Sequence, residues 1–303
     1  RFAVHHVQRA AEGRNRKIVL VNDGAHCDSE YPMYAHTEQE ADVLDRIPHS
    51  GITLRQFADD DLSAAHTLSR AVRWRHRPED WRFAARTGKG IVAIDEGGAL
   101  VGTAFAWEFG ADAATLGMLI VAPDHERHGI GRAMITHWMH ALEPRTLLLH
   151  ASDAALPLAD QLGFRRLGRI HQHQGAAFHP PLVSLPPGER LRPVGANDVP
   201  RLVELASRAS GLDRGKLLPA LLDIAGGIAL DRDGELIGFA LFRRFGDGHV
   251  IGPVIGARDG SEVLRRACRG ARPERDNDRR FAAAEEVLEF IGQLVVGRGL
   301  PRG

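Results

Sequence analysis

Residues 121–134 read VAPDHERHGIGRAM, and the fold turns on what the two glycines, Gly129 and Gly131, do there. An apolar run (LGMLIVA, 116–122) leads in. A helical pattern leads out, with Ala133, Ile135, Met139 and Leu142 near helical spacing. A strand that enters a helix through glycine leaves backbone N–H groups unpaired at the positive end of the helix dipole, which suits an anion. Glycine also reaches backbone angles closed to other residues and lets a phosphate approach the main chain. Arg127 and Arg132 bracket the turn and add charge. Two other phosphate motifs are excluded. The dinucleotide fingerprint needs a third glycine and an opening βαβ unit, and a Walker A loop needs Gly-Lys-Ser/Thr. The remaining alternative is a helix-initiating turn with no ligand.

Outward from this turn the chain alternates. ITLRQF (52–57) reads as a strand, and DDDLSAAHTLSRAVRW (59–74) as a helix opened by acidic residues. GIVAID and GALVGTAFAWEF are strands joined by a Gly-Gly turn, and ATLGMLIVA is a third strand. After the helix GRAMITHWMHAL come a strand (TLLLHAS), a short helix (LPLADQLGF) and a last strand (RRLGRIHQHQ). The order is β-α-α-β-β-β-α-β-α-β, a mixed α/β unit.

Part of this unit recurs. LRQFADDDL (54–62) aligns with LRPVGANDV (191–199), GIVAIDEGGALVGTA (90–104) with GGIALDRDGELIGFA (226–240), and LGMLIVAPD (116–124) with IGPVIGARD (251–259). Three ordered matches at nearly one offset describe two copies of one fold. The Pro-rich HPPLVSLPPGE (179–189) is the expected linker. The expected division is an N-terminal extension (1–50), a first domain (51–178), the linker, and a second domain (190–303). The second copy continues DGSEVLRRACRG, with no Gly-x-Gly, so only the first can use the turn. The tail after Asp278 reads as a helix and a strand.

Composition sets the broad class. The 303 residues suit two domains, with 44% hydrophobic and 26% charged residues and a formal net charge of zero. Neutral charge excludes a nucleic-acid or acidic-membrane partner driven by bulk electrostatics. No apolar run approaches the roughly 20 residues of a membrane span, and the first residues lack the apolar core of a secretory signal. Cys27 and Cys268 are far apart and read as reduced thiols, so a cytoplasmic protein is expected. HQHQ (171–174) and His5–His6 do not complete a zinc-ligand pattern, and no metal is expected.

The turn HERHGIGRAM, its place behind a strand ending Val-Ala-Pro, the element order and the closing helix LPLADQLGF together resemble the GNAT superfamily of N-acyltransferases. The likeness covers 52–178 well and 190 to about 290 as a degenerate second copy. WRHRPEDW (74–81) is similar to one tandem-domain bacterial subgroup. The resemblance implies two GNAT-like mixed-sheet domains in tandem, with acetyl-CoA or a related acyl-CoA as donor and no metal. Its pyrophosphate would lie on the amides of Arg127, His128, Gly129, Ile130, Gly131 and Arg132. Its pantetheine arm would pair with Leu119, Ile120 and Val121. Two positions depart from the family. Glu126 stands where Arg or Gln is usual, and Ala159 stands where a tyrosine often protonates the leaving thiolate. Tyr31 and Tyr34 are the chain's only tyrosines.

Transfer to an amine needs a base, because an ammonium has no lone pair. It also needs a donor for the developing oxyanion, such as an amide near Leu119, and a proton for the thiolate. Glu108 at the end of a strand, His150 on TLLLHAS, and His76 with Glu79 in WRHRPEDW are the candidate bases. Ser152, water, or a tyrosine of the extension are candidate acids. Trp74, Trp81 and Trp107 pack or line the acceptor site. The expected activity is acyl transfer to a primary amine of a small acceptor, by a protein that admits a homodimer. A hydroxyl acceptor, a non-catalytic acyl-CoA sensor and a ligand-free structural protein remain as alternatives.

Overall fold

The computed structural model describes residues 17–23, 43–47, 50–176, 185–256, 280–284 and 293–294. The chain divides into two compact units, one of His6–Ile170 with Leu288–Gly303 and one of Arg1–His5 with His171–Val287.

In the first unit the strands are β1 (Lys17–Asp23), β2 (Val43–Ile47), β3 (Ile52–Gln56), β4 (Lys89–Ile94), β5 (Leu100–Phe109), β6 (Ala113–Val121) and β7 (Thr146–Ser152). The helices are α1 (Leu62–Ala71), α2 (Pro78–Thr87), α3 (Ile130–Ala141) and α4 (Leu156–Gln161), and β8 (Arg165–Ala176) follows. From β3 to β8 this is the order read from the sequence. Neighbours from β2 to β6 pair antiparallel. β6 and β7 pair in parallel, as a crossover through α3 requires. β1 lies parallel to β7 on its other side, Lys17 opposite Leu147 through Asn22 opposite Ser152.

Alternation along the strands assigns the two faces. Ala104 and Ala106 of β5, Ala114 and Leu116 of β6, and Leu147, Leu149 and Ala151 of β7 join Met134, Ile135 and Trp138 of α3 in one core. The opposite face is covered by α1, packed on β5 and β6, and by α2, packed on β4 and β5. The first helix stops at Ala71, short of the expected Trp74. Arg73 takes a left-handed φ of 63° and the Trp74 N–H donates to Ser69 O at 2.8 Å, which ends the helix.

In the second unit β9 (Glu189–Pro193), α5 (Val199–Ser210), α6 (Leu217–Leu222), β10 (Gly226–Arg232), β11 (Glu235–Phe245) and β12 (Gly248–Ile255) repeat the β-α-α-β-β-β half of the first, with every sheet pair antiparallel. The likeness extends to side chains. Arg55 donates from both terminal nitrogens to Asp61 at 2.7 Å, and Asp61 accepts the Ala58 N–H at 2.8 Å. Arg192 grips Asp198 in the same way at 2.6 and 2.8 Å, and Asp198 accepts the Gly195 N–H at 2.7 Å. Gly90 lies beneath the Phe105 ring, and Gly226 beneath the Phe242 ring. The β5–β6 register slips by one residue between Thr103 and Phe105, and the β11–β12 register slips between Ala240 and Phe242.

The tail differs from its sequence reading. Arg280–Ala284 is strand β13, with Phe281, Ala282 and Ala283 parallel to His249, Val250 and Ile251. The open edge of β12 outweighs the helical preference of an Ala-rich segment. Gln293–Leu294 forms a two-residue strand, β14, in which Leu294 pairs with Leu119 of β6 and Ala151 of β7. Among the described residues no helix is long and apolar enough to cross a membrane.

Candidate functional site

The site begins with a fault in β6. Thr103 pairs with Ile120 but Phe105 pairs with Gly117, so β6 spends one extra residue there. Met118 absorbs it at φ 48°, left-handed and 2% exposed, a conformation that costs a non-glycine residue about 1–2 kcal/mol. The Thr103 hydroxyl donates to the Met118 carbonyl at 2.7 Å and holds the bulge. A bulge bends and twists its strand. The parallel pairing of β6 with β7 accordingly ends at Leu116 opposite Leu149, one residue before Gly117. Beyond that point the two strands part, and Leu119 lies on the β6 edge, where it pairs with Leu294 of β14.

Past this edge the chain reaches the glycine turn. Arg127 has φ 64° and Gly129 φ 83°, and Gly129 is the N-cap of α3 with no side-chain cap. Left-handed residues placed this way turn successive N–H groups into one concavity, and the uncapped first turn of α3 adds its own. A Cβ on Gly129 would meet nothing within 4 Å, so glycine serves the backbone angle here and the space before the loop is open. Arg127, His128 and Gly129 are exposed. Glu126 has an exposed neighbour on its C-terminal side but carries one buried carboxylate oxygen, so that oxygen is turned in from the loop's outer face. Arg132 donates to Gln161 of α4. The left-handed backbone, the uncapped helix start and the exposed Arg127 are features that suit an anion.

On the face covered by α1 and α2, β7 presents Leu148, His150 and Ser152. These alternate with the Leu147, Leu149 and Ala151 that enter the α3 core. His150 is 1% exposed and is the first residue of this face beyond the end of β6–β7 pairing. On β5, Phe105 and Trp107 stack at 5.7 Å between ring centroids. Their rings lean over β4. A Cβ on Gly90 would stand 2.6 Å from Phe105, and one on Gly88 2.5 Å from Trp107 Nε1. On this face β6 carries Ala113, opposite Phe109, then Thr115, opposite Trp107, and Gly117, opposite Phe105. The Thr115 hydroxyl oxygen and the Ser152 hydroxyl oxygen are buried with no hydrogen-bond partner among the described residues.

The structure gathers some sequence candidates and separates others. His150 and Ser152 stand on one face at the parting of β6 and β7. His76 is buried on the same side, its ring 5.0 Å from Trp74 and 6.4 Å from Trp81, whose ring is 6.0 Å from Phe105. Nearby on α1, burial pushes the His66 imidazole below its ordinary value, against a hydrogen bond to the His76 backbone. Glu108 lies elsewhere. It pairs with Ala114, five residues and about 16 Å of strand from Leu119, and accepts Lys89 at 2.6 Å and Arg145 at 2.9 Å. Glu79 is exposed and pairs with Arg82. Ala159 is fully buried in the α3 core, with Leu147, Leu149 and Ala151 and not with His150 and Ser152. Tyr31, Tyr34, Cys27, Cys268 and the side chains of His5, His6, His171 and His173 lie outside the described residues.

Sequence reasoning missed Met118, Thr103 and Thr115. LGMLIVA reads as an unbroken apolar strand, and a bulge leaves no mark in such a run. The available signal was ATLG (114–117), where two small polar or bare positions interrupt an otherwise bulky pattern.

Comparison with known proteins agrees with this geometry. Residues 60–182 match one acetyltransferase (GNAT) domain model, and residues 202–274 match a second acetyltransferase (GNAT) domain model. Among solved structures, a Pyrococcus horikoshii protein assigned as an acetyltransferase is 20% identical with a TM-score of 0.60, over 85% of this chain and 87% of that one. A tandem GNAT protein from the clavulanic acid biosynthesis pathway is 16% identical with a TM-score of 0.53, over 77% and 90%. A GCN5-related N-acetyltransferase from Sphaerobacter thermophilus is 17% identical with a TM-score of 0.52, over 79% and 87%. At these identities the structures testify to the fold. No curated protein matches the chain in sequence. The two domain matches together span nearly two thirds of the chain, and the chain belongs to the GNAT acetyltransferases, with two such domains in tandem.

Proposed function

We propose that the first unit moves an acetyl or other acyl group from acyl-CoA to a primary amine of a small acceptor. The observation that carries this reading is the cradle itself: left-handed Arg127 and Gly129 opening an uncapped α3, directly after a strand bulged at Met118 and parted from β7. In this reading the amides of Arg127 to Arg132 hold the donor pyrophosphate. The edge of Leu119, Ile120 and Val121 takes the pantetheine arm. An amide of that edge next to the bulge stabilises negative charge on the thioester carbonyl oxygen.

The acceptor approaches from the α1–α2 side. His150 takes the amine proton, the nitrogen bonds to the thioester carbonyl carbon, and the carbon–sulfur bond breaks. The thiolate takes a proton from water, relayed by Ser152, and the proton held by His150 neutralises the hydroxide left behind. Thiols are acidic enough that this last step needs little help, which accommodates alanine at 159. His76, two rings removed from Phe105, shapes the acceptor side together with Trp74 and Trp81. The compartment proposed is the cytoplasm, with no nucleic-acid or membrane partner and with a homodimer admitted.

Donor pairing along Leu119 uses the edge that β14 meets, so β14 yields when donor binds. The test is calorimetric titration with acetyl-CoA, dephospho-CoA and NAD, on the full chain and on a chain ending at residue 287. Acetyl-CoA binding that strengthens on truncation, with no NAD binding, is the expected result. No acetyl-CoA binding to either chain overturns the reading. A second reading, acyl-CoA binding without transfer, is favoured by the core position of Ala159. Thiol release in the presence of amines rules it out.

A further inference from the structure

A buried hydroxyl without a partner is costly, and a threonine in a strand interior is easily replaced by valine of the same shape. Thr115 is such a residue. It is fully buried, its Oγ1 has no partner among the described residues, and nothing in the fold of β6 requires oxygen there. Its position is specific. Directly opposite Trp107 and beside Leu148, it sits on the α1-facing side of β6, three residues before the bulge at Met118. Its next neighbour on that face is Gly117, which has no side chain. One further step across the parting strands is His150, and Ser152 lies beyond with its own unpartnered hydroxyl oxygen. Two orphaned hydroxyls and one buried imidazole therefore share a single sheet face around a bare glycine, while the opposite face of the same strands is wholly apolar core.

We propose that Thr115 positions the acceptor amine: its Oγ1 accepts one amine N–H while His150 takes the proton that leaves. This rests on the acyl-transfer reading above and assigns the acceptor nitrogen a place over Gly117. The acceptor class that satisfies both groups is an unhindered primary amine, which keeps one N–H for Thr115 after giving up one proton. A secondary amine cannot serve both groups without losing the Thr115 contact at the moment of transfer.

The experiment compares Thr115→Val and Thr115→Ser with the full-length wild type. Each is assayed for thiol release from acetyl-CoA with putrescine, glucosamine, lysine methyl ester and N-methylbutylamine. The thermal midpoint of each free protein is measured alongside. Thr115→Val is expected to melt higher, because an unpartnered hydroxyl has become a methyl. It should also lose about ten-fold in kcat/KM for the primary amine that turns over, with the acetyl-CoA KM unchanged. Thr115→Ser restores turnover. Thr115→Val with wild-type kcat/KM overturns the proposal and leaves acyl transfer standing. Absence of turnover with every amine in the wild type removes the acyl-transfer reading instead. The thermal arm decides by itself as well: a lower midpoint for Thr115→Val means that the hydroxyl is partnered within the fold, which overturns the proposal.

Discussion

Gly129 separates the backbone demand of the cradle from its charge demand. A Cβ there meets nothing within 4 Å, so any loss on substitution comes from φ 83° or from what the side chain carries. Asn and Asp tolerate left-handed angles better than other residues, and they share one shape. Gly129→Asn therefore reports the backbone cost alone, and Gly129→Asp adds a carboxylate at the mouth of the cradle. Two like charges about 4 Å apart repel by roughly 1 kcal/mol in water and about 4 kcal/mol at an effective dielectric of 20. The loop is exposed, so the effect falls between these limits, about five-fold to a thousand-fold in affinity. Calorimetry with acetyl-CoA at low and high salt gives the two dissociation constants. The Asp variant should bind more weakly than the Asn variant, and salt should narrow the gap. Equal affinity of the two variants at low salt would refute the cradle, because a pyrophosphate there must feel the added charge.

Two more outcomes follow from the geometry. His150→Gln should lower kcat by about 10²–10⁴-fold, the range of a lost general base, with acetyl-CoA affinity kept within about two-fold. An equal loss at Glu108→Gln would move the base to the far end of β5. In the second unit the Arg192 guanidinium, helped by the Gly195 N–H and opposed by desolvation, holds the Asp198 carboxyl below its ordinary value. Its contribution is present at neutral pH and is lost as pH falls below the ordinary carboxylate value of about 3.9 toward the lowered one. Arg192, whose own value is raised, stays charged throughout and contributes no opposing slope. Asp198→Asn should destabilise at pH 7 by about 1 kcal/mol and flatten the acid limb of stability against pH in urea titrations. An unchanged acid limb would show that the grip contributes nothing to folding.

The element order was legible because each piece announces itself locally. The β4–β5 hairpin is marked by Gly97–Gly98, and α3 by its apolar spacing after Gly129. The repeat was legible from aligned strings, and the structure gives those strings a cause: LR…D in both copies is an arginine clasping the aspartate that closes the next turn. What stayed hidden depends on contacts distant in sequence. Glu108 reads as a strand-end carboxylate, and only Lys89 and Arg145, far from it along the chain, reveal its occupation. β1 looked like part of an extension, yet its register with β7 depends on an edge whose existence no local pattern states. The bulge at Met118 is invisible for the same reason, since it is a mismatch between two strands and not a property of one.

Gly88 and Gly90 act on the reaction face from outside it. Gly90 on β4 and Gly88 just before it let Phe105 and Trp107 lie close over the backbone, and so they set where these rings stand beside Gly117 and Thr115, yet neither glycine belongs to β6 or β7. Anyone retuning this enzyme toward bulkier or slimmer acceptors would ordinarily randomise the residues lining the reaction face. Such a library would omit the two positions that set where these rings stand. Alanine at Gly90 would press on both the Phe105 ring and Phe57 Cβ, at 2.6 and 2.7 Å, so a change on β4 would reach the proposed acceptor side through a ring it only supports.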